Sequence, residues 1–199
     1  VFDLFEINEI LKNKNIEVRW TILGHGPETE AVKKQWEAIE HVSFETPHSH
    51  KQLMELLQQQ DVFVFPTKFE GFPVALLETM SVGCVPVVSD INGGIQEVVF
   101  EGQTGYKCPI NDNAAFAEKI EFLHNNRTKL SVMQNESISM ISKQFDVITQ
   151  VAAYQAYFKK IAESTEAPIH HLVNKKIGSR LDQPYLPNFI TRAIRKWWY

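Results

Sequence analysis

Apolar residues along this chain fall in short runs, separated by stretches in which they recur every three to four positions. The runs Val18–Leu23, Val42–Phe44, Val62–Phe65, Val85–Ser89 and Gly105–Cys108 predict strands. The periodic stretches Glu28–Glu40, His50–Gln58, Pro73–Val82 and Asn113–His124 predict helices between them, and two more follow near Arg127–Lys143 and Val147–Glu163. Ahead of the first run, Phe2, Leu4, Phe5, Ile7, Ile10 and Leu11 also recur at helical spacing. The chain opens inside that pattern, at Val1 and without a methionine, so further residues upstream are expected. Val-Phe-Val-Phe and Val-Pro-Val-Val are apolar on both faces, as parallel strands covered by helices must be. The alternation of strand and helix predicts an α/β fold built on an open, doubly wound parallel sheet.

The pattern changes near residue 164. The following stretch carries Pro168, Pro184 and Pro187 with little periodicity, and leads into a short helix candidate, Phe189–Tyr199. Beyond residue 164 six Lys/Arg stand against Glu166 and Asp182, a net of +4, so residues 1–164 carry −8 of the total −4. We therefore expect a domain over 1–164 and a basic aromatic tail over 165–199. Phe189, Ile190, Ala193, Ile194, Trp197 and Trp198 share one helical face, with Arg192, Arg195 and Lys196 on the remainder. Such a tail fits packing on the domain or on a missing one first, and peripheral membrane contact second.

With 44% hydrophobic and 22% charged residues in 199, the composition is that of a globular domain that holds its core without disulfides or metals. The net charge of −4 gives no sign of a nucleic-acid binder. Cys84 and Cys108 sit in apolar stretches and read as buried thiols. No window approaches the ~20 apolar residues of a membrane span and no signal peptide is visible, so a cytoplasmic protein, peripheral to the membrane at most, is expected. His170-His171 is a poor metal pair, because adjacent side chains diverge and no third ligand is near.

Chemistry concentrates between Pro66 and Glu97. This segment follows a buried strand, crosses a short loop and opens a helix at Pro73, where a missing N–H is no loss. A helix N-terminus at the C-terminal end of a parallel strand is where open α/β sheets bind ligands. The free amides of Gly71, Phe72 and Val74, with the helix dipole, favour an anion. Glu70 precedes the helix and Glu78 lies inside it, about 8 Å further along the axis. From the residues alone, Glu70 also fits an acid that stabilises the helix dipole, and Glu78 a structural ion pair.

Glu70-Gly71-Phe72-Pro73 followed by Glu78 resembles the E-x7-E signature of family 4 retaining glycosyltransferases, which have the GT-B fold. Gly24-His25-Gly26-Pro27, Val42-Ser43-Phe44, Asp61 to Thr67, Gly83 to Asp90, Gly93-Gly94 with Glu97, and Gly105-Tyr106 are similar to further family motifs and occur in family order. The resemblance covers residues 1 to 124, extends weakly to 163, and leaves the tail uncovered. It implies the Rossmann-like, donor-binding C-terminal half of the enzyme, with its first strand and the acceptor domain missing. Glu70 would contact the donor sugar as the catalytic acidic group. Glu78 would bind the ribose, and the amides of Gly71, Phe72 and Val74 would face the sugar and diphosphate. Thr46 and His48 would lie near the base, although Thr46 replaces the family's usual glycine. Without an Asp-x-Asp pair, no metal or other cofactor is expected. The partners implied are a nucleoside-diphosphate sugar and the missing acceptor domain. A GT-B sugar-nucleotide epimerase and a non-catalytic nucleotide-sugar-binding module are the alternatives.

Overall fold

A computed structural model of the protein describes residues 1–163. The expected tail, 165–199, with its membrane or packing role, and the boundary expected after residue 164 lie outside the described residues. Contacts divide the chain into two compact units at Ala152/Ala153.

In the first unit, helices α1 (Asp3–Asn13), α2 (Thr29–Gln35), α3 (His50–Leu57), α4 (Val74–Ser81), α5 (Gly94–Val98), α6 (Asn113–Asn125) and α7 (Arg127–Gln144) alternate with strands β1 (Trp20–Leu23), β2 (Val42–Glu45), β3 (Val62–Phe65), β4 (Val85–Ser89) and β5 (Tyr106–Cys108). All neighbouring strands run parallel. Helix α8 (Val147–Glu163) crosses into the second unit, and none of its residues is buried. Among the described residues no helix is long and apolar enough to cross a membrane.

Strand bounds follow from pairing. β1 begins at Trp20, not Val18, because its partner begins at Val42: the Trp20 amide donates to His41 O at 2.8 Å, and nothing of β2 lies further back. Helix α2 ends at Gln35, short of the expected Glu40. There the chain closes into i→i−3 turns at Glu37 and Ile39, and Trp36 drops into the core. Trp36 meets Phe5 and Trp20 edge to face, at centroid distances of 5.5 and 5.6 Å. The buried Asn8 carboxamide on α1 accepts from Trp20 Nε1 at 2.8 Å, which ties that helix to β1. Helix α5 has no counterpart in the expected elements; five residues are too few for a helical period to stand out.

The sheet departs from one continuous ladder. β1 pairs with β2, and β3-β4-β5 form a second ladder, with no strand among the described residues joining β1 to β3. All five residues of β4 are buried, whereas Val62, Phe63, Val64 and Phe65 of β3 are each half-buried. The unpaired edge of β3 explains the difference. Between β1 and β3 lies a cavity of about 920 Å³, bordered by every residue of both strands. Side chains bridge the ladders: one core cluster unites Trp20 of β1, Val85 and Val87 of β4, Cys108 of β5, and Phe116 and Ile120 of α6.

Candidate functional site

Chain leaving β3 passes Pro66 and turns at Thr67. The Thr67 hydroxyl lies 3.2 Å from Phe69 O and 3.4 Å from Glu70 Oε1, so it fixes both the turn and the first acid. Pro73 was expected as the first helical residue. It sits one position earlier, extended at φ −72° and ψ 109°, and caps α4. The displacement follows from the contact beside it, where Gly71 O accepts the Gly94 amide at 2.9 Å and keeps the approach extended.

That contact needs glycine at both residues of the 93–94 turn. Gly93 holds φ +123°, a conformation L side chains rarely adopt, and a Cβ there would lie 2.9 Å from Gly71 O. At Gly94 a Cβ would lie 2.2 Å from Phe72 Cδ2 and 2.9 Å from Phe72 Cα. Gly71 itself faces open space, with nothing within 4 Å of an added Cβ. The Phe72 ring rests against Phe145 at 5.7 Å, while Phe69 is 87% exposed.

Above this clamp the first turn of α4 presents amides without intrahelical partners. The amides of Gly71 and Phe72 donate to no acceptor among the described residues. Val74, the first residue of the helix, is exposed. Helix α4 is apolar on most sides, burying Leu76, Thr79 and Met80. Glu78 borders the large cavity beside Ala75 and Thr79; Glu70 does not border it.

The Glu78 carboxylate has one charged or hydrogen-bonding side-chain partner among the described residues, His50, with Nδ1 3.5 Å from Oε1. Sequence reasoning did not single out His50 as a site residue, since an exposed histidine at a helix start has no pattern of its own. The turn that carries it is well fixed. Ser49 Oγ accepts the Gln52 amide at 3.2 Å, and Gln52 Oε1 accepts the His48 amide at 2.9 Å. Thr46 and His48 thus belong to the turn that brings His50 against Glu78.

Neither cysteine is part of this chemistry. Both are free and buried; burial pushes the Cys84 thiol up to about 12, with Asp61 adding to the effect, and burial likewise raises Cys108 to about 12. Among the described residues no cluster of His, Cys, Asp and Glu is arranged to hold a metal.

The fold is that of GT-B glycosyltransferases, and solved structures of that class superpose on it. The pneumococcal O-GlcNAc transferase GtfA, in complex with UDP and GlcNAc, matches with a TM-score of 0.66 at 20% identity, over 81% of this chain and 32% of that one. The C-terminal domain of the glycosyl transferase group 1 family protein LpcC from Francisella tularensis matches with a TM-score of 0.60 at 17% identity, over 73% of this chain and 78% of that one. Residues 1–140 match the family Glycosyl transferases group 1, and the chain belongs to that family. Among curated relatives, the N-acetyl-alpha-D-glucosaminyl L-malate synthase of Bacillus anthracis is 30% identical over 144 residues, 67% of this chain and 37% of its own length. The chain spans about a third of the length of the curated relatives it matches.

Proposed function

We propose that this chain is the donor-binding part of an enzyme that moves a hexosyl group from a nucleotide sugar to a glycan or lipid-linked acceptor, with retention of anomeric configuration. The observation that carries the reading is the pairing of two features at the C-terminal end of β3. Unpartnered amides open helix α4, and the Glu78 carboxylate borders the adjoining cavity with acceptor capacity to spare. An ionised carboxylate accepts at about four lone-pair sites, which suits vicinal ribose hydroxyls. The amides of Gly71, Phe72 and Val74 face the diphosphate. Thr46 and His48 stand near the base.

In the transfer, the bond between the anomeric carbon and the diphosphate oxygen breaks and negative charge gathers on the leaving group. The α4 amides and dipole stabilise that charge. The acceptor oxygen bonds to the same face of the carbon, and its proton passes to the departing diphosphate. Glu70, held by Thr67, orients the donor sugar through its hydroxyls and does not itself form a bond. No step in this reading runs through a metal.

Titration of the full-length protein with nucleotide tests the assignment. Glu78→Ala should weaken binding by roughly ten- to a hundredfold, the loss of hydrogen bonds to a charged acceptor. Glu70→Ala should leave nucleotide affinity nearly unchanged and depress turnover. Unchanged affinity in Glu78→Ala refutes the ribose role.

A further inference from the structure

Helices α3 and α4 pack together, and the pair places His50 Nδ1 3.5 Å from Glu78 Oε1 although the residues are far apart in sequence. Three observations give that contact significance. Glu78 is 26% exposed and has no other charged or hydrogen-bonding side-chain partner among the described residues, so without His50 its carboxylate would be free to swing. His50 opens a helix whose start is locked by two reciprocal hydrogen bonds, through Ser49 and Gln52, so the imidazole is delivered from a fixed base. Contact is made through Oε1, which leaves Oε2 without a side-chain partner among the described residues, on a residue that borders the cavity.

We infer that His50 is a positioning residue for nucleotide binding. It holds the Glu78 carboxylate in the orientation that accepts the ribose hydroxyls, and so joins the 46–50 turn and helix α4 into one nucleoside-recognition unit. The inference rests on the ribose role of Glu78 and adds to it. A free glutamate loses side-chain freedom when it grips a ligand; a glutamate already steadied by a neighbour loses less, and the difference appears as affinity. His50 is 70% exposed, so its contact with Glu78 is screened and its contribution is small. A loss of about two- to fivefold in nucleotide affinity is expected when it is removed.

The test is calorimetric titration of the full-length protein with UDP and, in parallel, GDP. The proteins compared are wild type, His50→Leu, His50→Asn, Glu78→Ala and the double variant His50→Leu/Glu78→Ala. His50→Leu should bind the preferred nucleotide about two- to fivefold more weakly, and His50→Asn, which keeps an N–H near the Nδ1 position, should recover most of the loss. Thermal unfolding should be the same for all the His50 variants, because the side chain is largely exposed. In the Glu78→Ala background, His50→Leu should have no further effect, a coupling that a general structural role would not produce. Unchanged affinity in His50→Leu, or an equal penalty with Glu78 already removed, overturns the inference while leaving the ribose reading intact. If Glu78→Ala alone binds like wild type, or wild type binds neither nucleotide, the ribose reading fails and takes this one with it.

Discussion

Replacing Gly94 by alanine puts a methyl group into the clamp that shapes the candidate site. The new Cβ would fall 2.2 Å from Phe72 Cδ2, 2.6 Å from Cγ and 2.9 Å from the Phe72 Cα. The ring can swing away from the first two contacts, but the third is backbone, so the 71–72 turn must move. Movement there stretches the 2.9 Å bond from the Gly94 amide to Gly71 O. Forcing a methyl into a packed contact costs typically 1–3 kcal/mol, and the stretched hydrogen bond about 1 kcal/mol; because the two share one displacement, a combined loss of about 1–3 kcal/mol is expected. Gly71→Ala is the matched control. Its Cβ meets nothing within 4 Å and its backbone does not require a positive φ, so folding should be unchanged within about 0.5 kcal/mol. Nucleotide binding should separate the pair differently. On the proposed reading both should lose affinity, Gly94→Ala because the amides of Gly71 and Phe72 are displaced, Gly71→Ala because a methyl would stand where the diphosphate comes close. Urea unfolding with the slope monitored gives stability, and titration with UDP gives affinity. A Gly94→Ala protein as stable as wild type would refute the clamp, and a Gly71→Ala protein that binds normally would refute the close approach.

Other outcomes follow from single contacts. Asn8→Ala leaves the buried Trp20 Nε1 without an acceptor and should destabilise the fold by about 1–3 kcal/mol in chemical denaturation. Cys84 and Cys108 should resist maleimide in the native protein at pH 8 and react fully once it is unfolded; prompt native labelling would contradict their burial and raised pKa values. The same shifts set a pH window. Below about pH 9 both thiols are protonated in either state, and from there toward about 12 the unfolded chain ionises first, so stability should fall as pH rises through that interval.

Much of the fold was legible because its strongest signals are local. Val62–Phe65 and Val85–Ser89 are bounded apolar runs, and the observed strands coincide with them. Val147–Glu163 was legible as a helix for the same reason. Pairing, however, is not local. Nothing in Val18-Arg19 says that the ladder starts at Trp20; that depends on where β2 begins. Likewise Val-Phe-Val-Phe reads as doubly covered, while its half-burial reflects an edge that meets no strand. In the site, the Glu70–Glu78 spacing was visible and its roles came from resemblance. The His50 contact was invisible, because it arises from two helices packing across many residues of sequence. The Gly93–Gly94 pair stood out only as part of the resemblance, and the reason for glycine at both positions lies in the opposing Gly71–Phe72 backbone.

The interruption between β1 and β3 has a consequence for how the molecule opens. Backbone hydrogen bonds hold β1 to β2 and, separately, β3 to β4 and β5, while among the described residues side-chain contacts couple one ladder to the other. Packing resists separation but is indifferent to small sliding, so the two ladders form distinct cooperative units. Hydrogen–deuterium exchange should therefore resolve two classes of slow amide. Those of β1 and β2 should exchange through partial opening and show the weaker dependence on denaturant. Those of β4, bonded on both sides and buried throughout, should exchange only when the whole first unit unfolds. A single exchange free energy across all five strands would mean that the side-chain contacts bind the two ladders as tightly as a shared strand would.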